Sequence, residues 1–172
     1  SFEQYKRIFR FSEILLTLDV LCGLFGYIWY SYLNALNEKP FTGSGNLLEM
    51  AVYIIATLLL IKIFGGFEIG FFTPMNAILS QVLAMFCVNS LMGIQIILTI
   101  GSIYMIDEIL LAMVILQFVQ LFASIVLVMI FDKLYVRLFP AWNLLLIYEH
   151  DSVRLFTDKI NTRKDKYVIG EM

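Results

Sequence analysis

Residues 109–131 read ILLAMVILQFVQLFASIVLVMIF, a run without a single charged side chain. As an α-helix rising about 1.5 Å per residue it is roughly 35 Å long, enough to cross a hydrocarbon core of about 30 Å. A helix apolar on every face belongs in a membrane or a large core. Working outward, three further apolar runs lie between charged or Gly/Pro-rich breaks: Phe11–Tyr32, Leu47–Ile63 and Met75–Ile100. The sequence therefore predicts an all-α membrane fold, a bundle of four transmembrane helices within residues 1–139. Composition agrees: 60% of the 172 residues are hydrophobic and 15% charged, with mean hydropathy +0.85. Soluble domains run at about 45–50% and about 25%.

The breaks have their own chemistry. Residues 34–46 hold Glu38, Lys39, Pro40 and Thr42-Gly43-Ser44-Gly45, which favour turns over helix and predict an exposed loop. Between Phe64 and Pro74, Gly65, Gly66 and Gly70 alternate with phenylalanines, which suits a turn in the membrane interface. Thr73 and Pro74 read as the N-cap and first-turn proline of the third helix. Only a short segment containing Gly101-Ser102 and Asp107-Glu108 separates the third run from the fourth, so these helices should form a tight antiparallel hairpin.

Orientation follows the basic residues. Residues 11–131 contain only Lys39 and Lys62, whereas Lys6, Arg7 and Arg10 precede the first run, and Lys133, Arg137 and five more follow the fourth. Positive residues stay inside, so both termini of a multi-pass membrane protein are expected in the cytoplasm. Tyr27, Trp29, Tyr30 and Tyr32 would then form an outer aromatic belt. No small-residue cleavage site follows the first run, so it is not read as a signal peptide. Cys22 and Cys87 sit within apolar runs and read as packing residues, not a disulfide.

Past the fourth run, the helix should continue through Asp132–Phe139 and stop at Pro140. Asn143–Tyr148 suits a buried strand, Asp151 or Ser152 can cap a helix ending near Asn161, and Tyr167-Val168-Ile169 begins a second strand. Residues 140–172 thus read as an incomplete cytoplasmic Rossmann-like β-α-β segment. One such unit is too small to stand alone. Together with a first residue that is serine, this suggests a piece of a longer protein.

Candidate chemistry is sparse. Asp19 lies about 12 Å inside the first helix, where a charge costs at least about 2.5–3.5 kcal/mol unless paired or protonated. At matching depth lie Ser124 and Gln120. Gln117, Gln120 and Ser124 share a helix face, and antiparallel depth matching puts Asn89 opposite Gln117. Asp19, Asn89, Gln117, Gln120 and Ser124 are therefore the candidate intramembrane polar cluster, read first as interhelical glue and second as a substrate or lipid contact. Lys62, about 9 Å nearer the cytoplasmic surface by the same ruler, is expected to snorkel or to pair with Glu13. Asp107-Glu108 starts the fourth helix, where acids meet the helix dipole; capping is the reading, not catalysis. Glu149-His150-Asp151 lacks the further ligands a metal needs. No phosphate-binding glycines fall between Tyr148 and Asn161, so no dinucleotide is expected. Thr162-Arg163-Lys164-Asp165-Lys166 is a solvated turn with some attraction for anionic headgroups. No catalytic, cofactor or metal residue is assigned, and no nucleic-acid partner is expected.

Four helices, then Leu144-Leu145-Leu146-Ile147-Tyr148, a polar turn and Lys159-Ile160-Asn161-Thr162-Arg163-Lys164-Asp165-Lys166-Tyr167, resemble the N-terminal half of the long-form polyprenyl glycosylphosphotransferases. The turn Phe64-Gly65-Gly66-Phe67-Glu68-Ile69-Gly70 and Lys6-Arg7 before the first run are similar too. Glu149 departs from the pattern, since members often carry glycine there. The resemblance implies a parent enzyme that moves a sugar 1-phosphate from a nucleotide sugar to undecaprenyl phosphate, initiating exopolysaccharide or capsule synthesis. Its Asp-Glu pair and Mg²⁺ would belong to a C-terminal catalytic domain that nothing in residues 1–172 matches. The implied role here is a non-catalytic membrane and Rossmann-like portion in the bacterial inner membrane, with the bilayer as partner and a homodimer as an option the resemblance raises. The competing class is a free-standing four-helix membrane protein, a small transporter or sensor.

Overall fold

The computed structural model describes residues 2–37, 39–68, 73–100, 103–139, 142–144 and 167–169. Four long helices account for most of them: α1 (Phe2–Ser31), α2 (Ser44–Phe64), α3 (Pro74–Ile100) and α4 (Ile106–Leu138). Two short 3-10 turns, Leu33–Leu36 and Ile103–Met105, precede α2 and α4. Three helices, α2, α3 and α4, are long and apolar enough to cross a membrane. The first expected span is helical but does not join that set; α1 carries Lys6, Arg7, Arg10, Glu13 and Asp19 along its N-terminal two thirds. Helix α1 also begins well before Phe11, because nothing between Phe2 and Phe11 breaks helical hydrogen bonding.

Contacts divide the chain into Ser1–Met129 and Ile130–Met172, with the boundary inside α4. In the first unit α2 packs most closely on α3. Its core is built from Leu21, Phe25, Leu33, Tyr53, Val88 and Leu116, all 0% exposed, with further apolar residues around them. In the second unit α4 runs on to Leu138, where Phe139 N–H still donates to the Tyr135 carbonyl and the two rings lie 5.0 Å apart. That matches the expected extension before Pro140.

The expected Rossmann-like segment is described only in part. The described residues there form two three-residue strands, β1 (Trp142–Leu144) and β2 (Tyr167–Ile169), paired parallel with Asn143 opposite Val168. Two such strands are below the size of a stable sheet, and by themselves they do not make a Rossmann-like segment. The expected helix from Ser152 to Asn161, and with it Glu149, His150 and the basic turn, lies outside the described residues.

Each helix end has a local cause. Gly65 (φ 75°) ends α2 in a left-handed conformation: its N–H donates to the Lys62 carbonyl while Gly66 N–H donates to Ile61. This double closure is a Schellman motif, and a side chain at Gly65 would be strained. Gly66 allows close packing, since a Cβ there would stand 2.9 Å from both Gln81 Cγ and Ile61 Cγ2. The Thr73 carbonyl accepts from Asn76 and Ala77, opening α3 at Pro74.

The first loop is pinned. Asn34 exchanges two hydrogen bonds with the Phe41 backbone (3.0 and 2.7 Å), Asn46 donates to the Phe41 carbonyl, and Trp29 Nε1 donates to Asn46 Oδ1 (2.9 Å). Trp29 is consequently 3% exposed and stacks on Phe41, which removes it from the expected outer aromatic belt. Tyr27, Tyr30 and Tyr32 do face outward.

Candidate functional site: a polar node joining four helices

Buried polar side chains in an apolar bundle need partners, because an unbonded amide away from water costs several times what a made hydrogen bond contributes. In the first unit those partners are one another. Tyr53 Oη, on α2, donates to Asn89 Oδ1 on α3 (2.7 Å) and accepts from Gln120 Nε2 on α4 (2.8 Å). Gln120 Nε2 also donates to the Leu21 carbonyl of α1 (2.9 Å). Asn89 Nδ2 donates to both Gln117 Oε1 and Gln120 Oε1, each at 2.7 Å. Phe25 stacks on the Tyr53 ring at 3.8 Å with the planes 3° apart, fixing the phenol from the α1 side. The outcome is a closed circuit in which Tyr53, Asn89 and Gln120 use every donor they have.

The structure therefore brings together Asn89, Gln117 and Gln120 and leaves out the other two candidates. Asp19 is exposed. It lies two residues from buried Thr17 and two from buried Leu21, roughly 200° round the helix from each, so matching depth cannot bring it to the node. It forms no hydrogen bond or ion pair among the described residues. Ser124 is fully buried, one turn beyond Gln120, but its hydroxyl reaches no partner there, and neither does that of Thr17. Lys62 is exposed whereas Glu13 is buried, so the expected Glu13–Lys62 pair does not form.

Tyr53 is the residue that sequence reasoning missed. The available signal was a phenol in the middle of an apolar run, away from either interface, where its hydroxyl requires a bond. A second pair was missed too: Glu49 is 6% exposed and accepts from Gln95 Nε2 at 3.2 Å. Toward the start of α4, Glu108 accepts from the Tyr32 hydroxyl (3.0 Å). Asp107 and Glu108 are both exposed in the first turn of α4.

A groove of about 360 Å³ opens between α3 and α4 beside the node. Phe86, Ile94, Val114 and Phe118 line it, with Asn89 and Gln117 below. It offers hydrocarbon walls and amides already occupied with each other. Among the described residues no three His, Cys, Asp or Glu side chains gather to hold a metal ion. Chemically, the arrangement joins helices; it presents no nucleophile beside a base. Comparison with protein-family models, curated proteins and solved structures found no match to this chain.

Proposed function

We propose that this chain is the non-catalytic membrane portion of a bacterial polyprenyl-phosphate sugar-1-phosphate transferase, seated in the inner membrane with both ends in the cytoplasm. The observation that carries the non-catalytic reading is the closed node: the polar groups of Tyr53, Asn89 and Gln120 are spent on joining α1, α2, α3 and α4. The transferase itself rests on the resemblance of the turn at Phe64–Gly70 and of the segments at Leu144–Tyr148 and Lys159–Tyr167.

In this reading the first run is a fourth span, crossing from about Phe11 to Tyr32 with Lys6, Arg7 and Arg10 left in the cytoplasm. Residues 140–172 begin a Rossmann-like domain on the same side. Undecaprenyl phosphate, nucleotide sugar and Mg²⁺ belong to a catalytic domain outside this chain. Asp107-Glu108 does not fit the Mg²⁺ role: both side chains are exposed, Glu108 is bonded to Tyr32, and no further acid joins them among the described residues.

The test reconstitutes this chain with undecaprenyl phosphate, Mg²⁺ and a panel of UDP-sugars, beside the polypeptide encoded by the whole reading frame. The chain should release no UMP, and the whole product should release it. UMP release by the chain alone, abolished on replacing Asp107 or Glu108, would overturn the reading. A reading frame that stops at Met172 would favour a free-standing four-helix membrane protein.

A further inference from the structure

One turn before Tyr53 on α2, Glu49 makes a polar contact with α3 that is chemically incomplete. Gln95 Nε2 donates to Glu49 Oε2 at 3.2 Å, which sets a carboxyl group beside a primary amide across the α2–α3 seam. Each group has a second oxygen, Glu49 Oε1 and Gln95 Oε1, and both are buried without a hydrogen-bond partner among the described residues. Two acceptors flanking one contact require a donor. Neither an ionised carboxylate nor an amide carbonyl supplies one.

Charge makes the same demand. Glu49 is 6% exposed on a helix long and apolar enough to cross a membrane, where a carboxylate needs a cation or a proton. The sequence offers no cation nearby: residues 11–131 contain only Lys39 and Lys62 as basic side chains. Lys39 is exposed in the first loop, and Lys62 lies about 20 Å farther along α2. The remaining titratable groups on the helices around Glu49 are Tyr53 on α2 and Cys87 on α3. Beyond Leu21, α1 adds Cys22, Tyr27 and Tyr30; before Gln120, α4 adds Asp107 and Glu108. None of these carries positive charge.

We propose that Glu49 and Gln95 form a proton-binding site in which Glu49 is held as the neutral acid. Glu49 Oε1–H donates to Gln95 Oε1 while Gln95 Nε2–H donates to Glu49 Oε2. One proton taken from water closes this acid–amide pair, uses both lone acceptors and removes the buried charge. A bridging water would donate to both oxygens but leave the charge in place. A hard metal cation takes about six oxygens or more, and among the described residues no three acids, histidines or cysteines gather to help supply them. Loss of the proton sets Glu49 Oε1 against Gln95 Oε1, so the α2–α3 seam is tightest with the site protonated.

The proposal goes beyond the transferase reading and does not depend on it. Infrared difference spectra of the chain and its Glu49→Gln variant, in liposomes at pH 7, read the protonation state directly. The parent should show the carbonyl stretch of one neutral carboxylic acid that the variant lacks. Glu49→Gln places an N–H donor where the proton sits, so in detergent it should keep the parent's thermal stability at pH 7. Glu49→Leu, which strips the Gln95 amide of its partner, should lose stability. The sign of the pH dependence follows from linkage: the folded chain holds a proton that the unfolded chain releases above about pH 5. Raising the pH should therefore shift the parent toward unfolding relative to Glu49→Gln, by about tenfold per pH unit until Glu49 ionises in the fold. Absence of the acid band, a Glu49→Gln protein as unstable as Glu49→Leu, or parent and Glu49→Gln curves that run parallel in pH would each overturn the proposal. A carboxylate band together with stability that rises with sodium chloride would assign the site to a metal cation and overturn it too.

Discussion

Tyr53 serves two helices through one oxygen, donating to Asn89 and accepting from Gln120. Tyr53→Phe removes both bonds but keeps the ring on Phe25. Intramembrane hydrogen bonds average about 0.6 kcal/mol and reach about 1.7, so the loss in detergent thermal unfolding should be roughly 1–2 kcal/mol. Asn89→Leu should cost more, because it leaves Gln117 Oε1, Gln120 Oε1 and the Tyr53 hydroxyl all short of a partner. An Asn89→Leu/Gln120→Leu double variant should be less destabilised than the sum of the singles. Strict additivity would show that the node is not one network. At this scale the sequence already pairs Asn89 with Gln117, since depth matching only counts turns. It misplaces Asp19, because depth carries no azimuth and two residues are enough to turn a side chain from core to outer face.

The α2 terminus shows how an element is ended by residues that look merely small. Gly65→Ala forces a Cβ into the left-handed region and should cost about 1–2 kcal/mol. Gly66→Ala meets Gln81 and Ile61 at 2.9 Å, and should cost about 1–3 kcal/mol through overpacking. Gly23→Ala, with open space around it, should leave the thermal stability of the monomer unchanged or slightly raised by helix propensity. Equal effects at all three glycines, measured in one detergent, would refute this division. The glycine pair was legible as a turn. Which glycine serves conformation and which serves packing was not, because the second depends on Gln81, a residue of another helix.

For the whole molecule, the uneven distribution of Lys and Arg makes a prediction that the bundle alone does not. In a background lacking Cys22 and Cys87, a cysteine at Ser44 should react with an impermeant thiol reagent on intact cells, and one at Lys164 should react only after lysis. The reverse pattern would invert the orientation. Labelling of both positions from outside would instead leave an even number of crossings between them, so that one of α2, α3 and α4 would not span.

Four helices were settled by the sequence itself, and three of the four expected spans, α2, α3 and α4, are long and apolar enough to cross a membrane. A run such as residues 109–131 has no polar face to give water, and every backbone group within it must bond internally. The helix stops were legible for the same local reason: glycine and proline act through their own backbone. Tertiary structure alone decided which polar groups meet. Azimuth and interhelical register are set by packing of Phe25 on Tyr53 and of Gly26 near Met50, contacts between residues far apart in the chain. That packing turned Trp29 inward beneath Phe41, closed Tyr53 onto Asn89 and Gln120, and left Asp19 facing out.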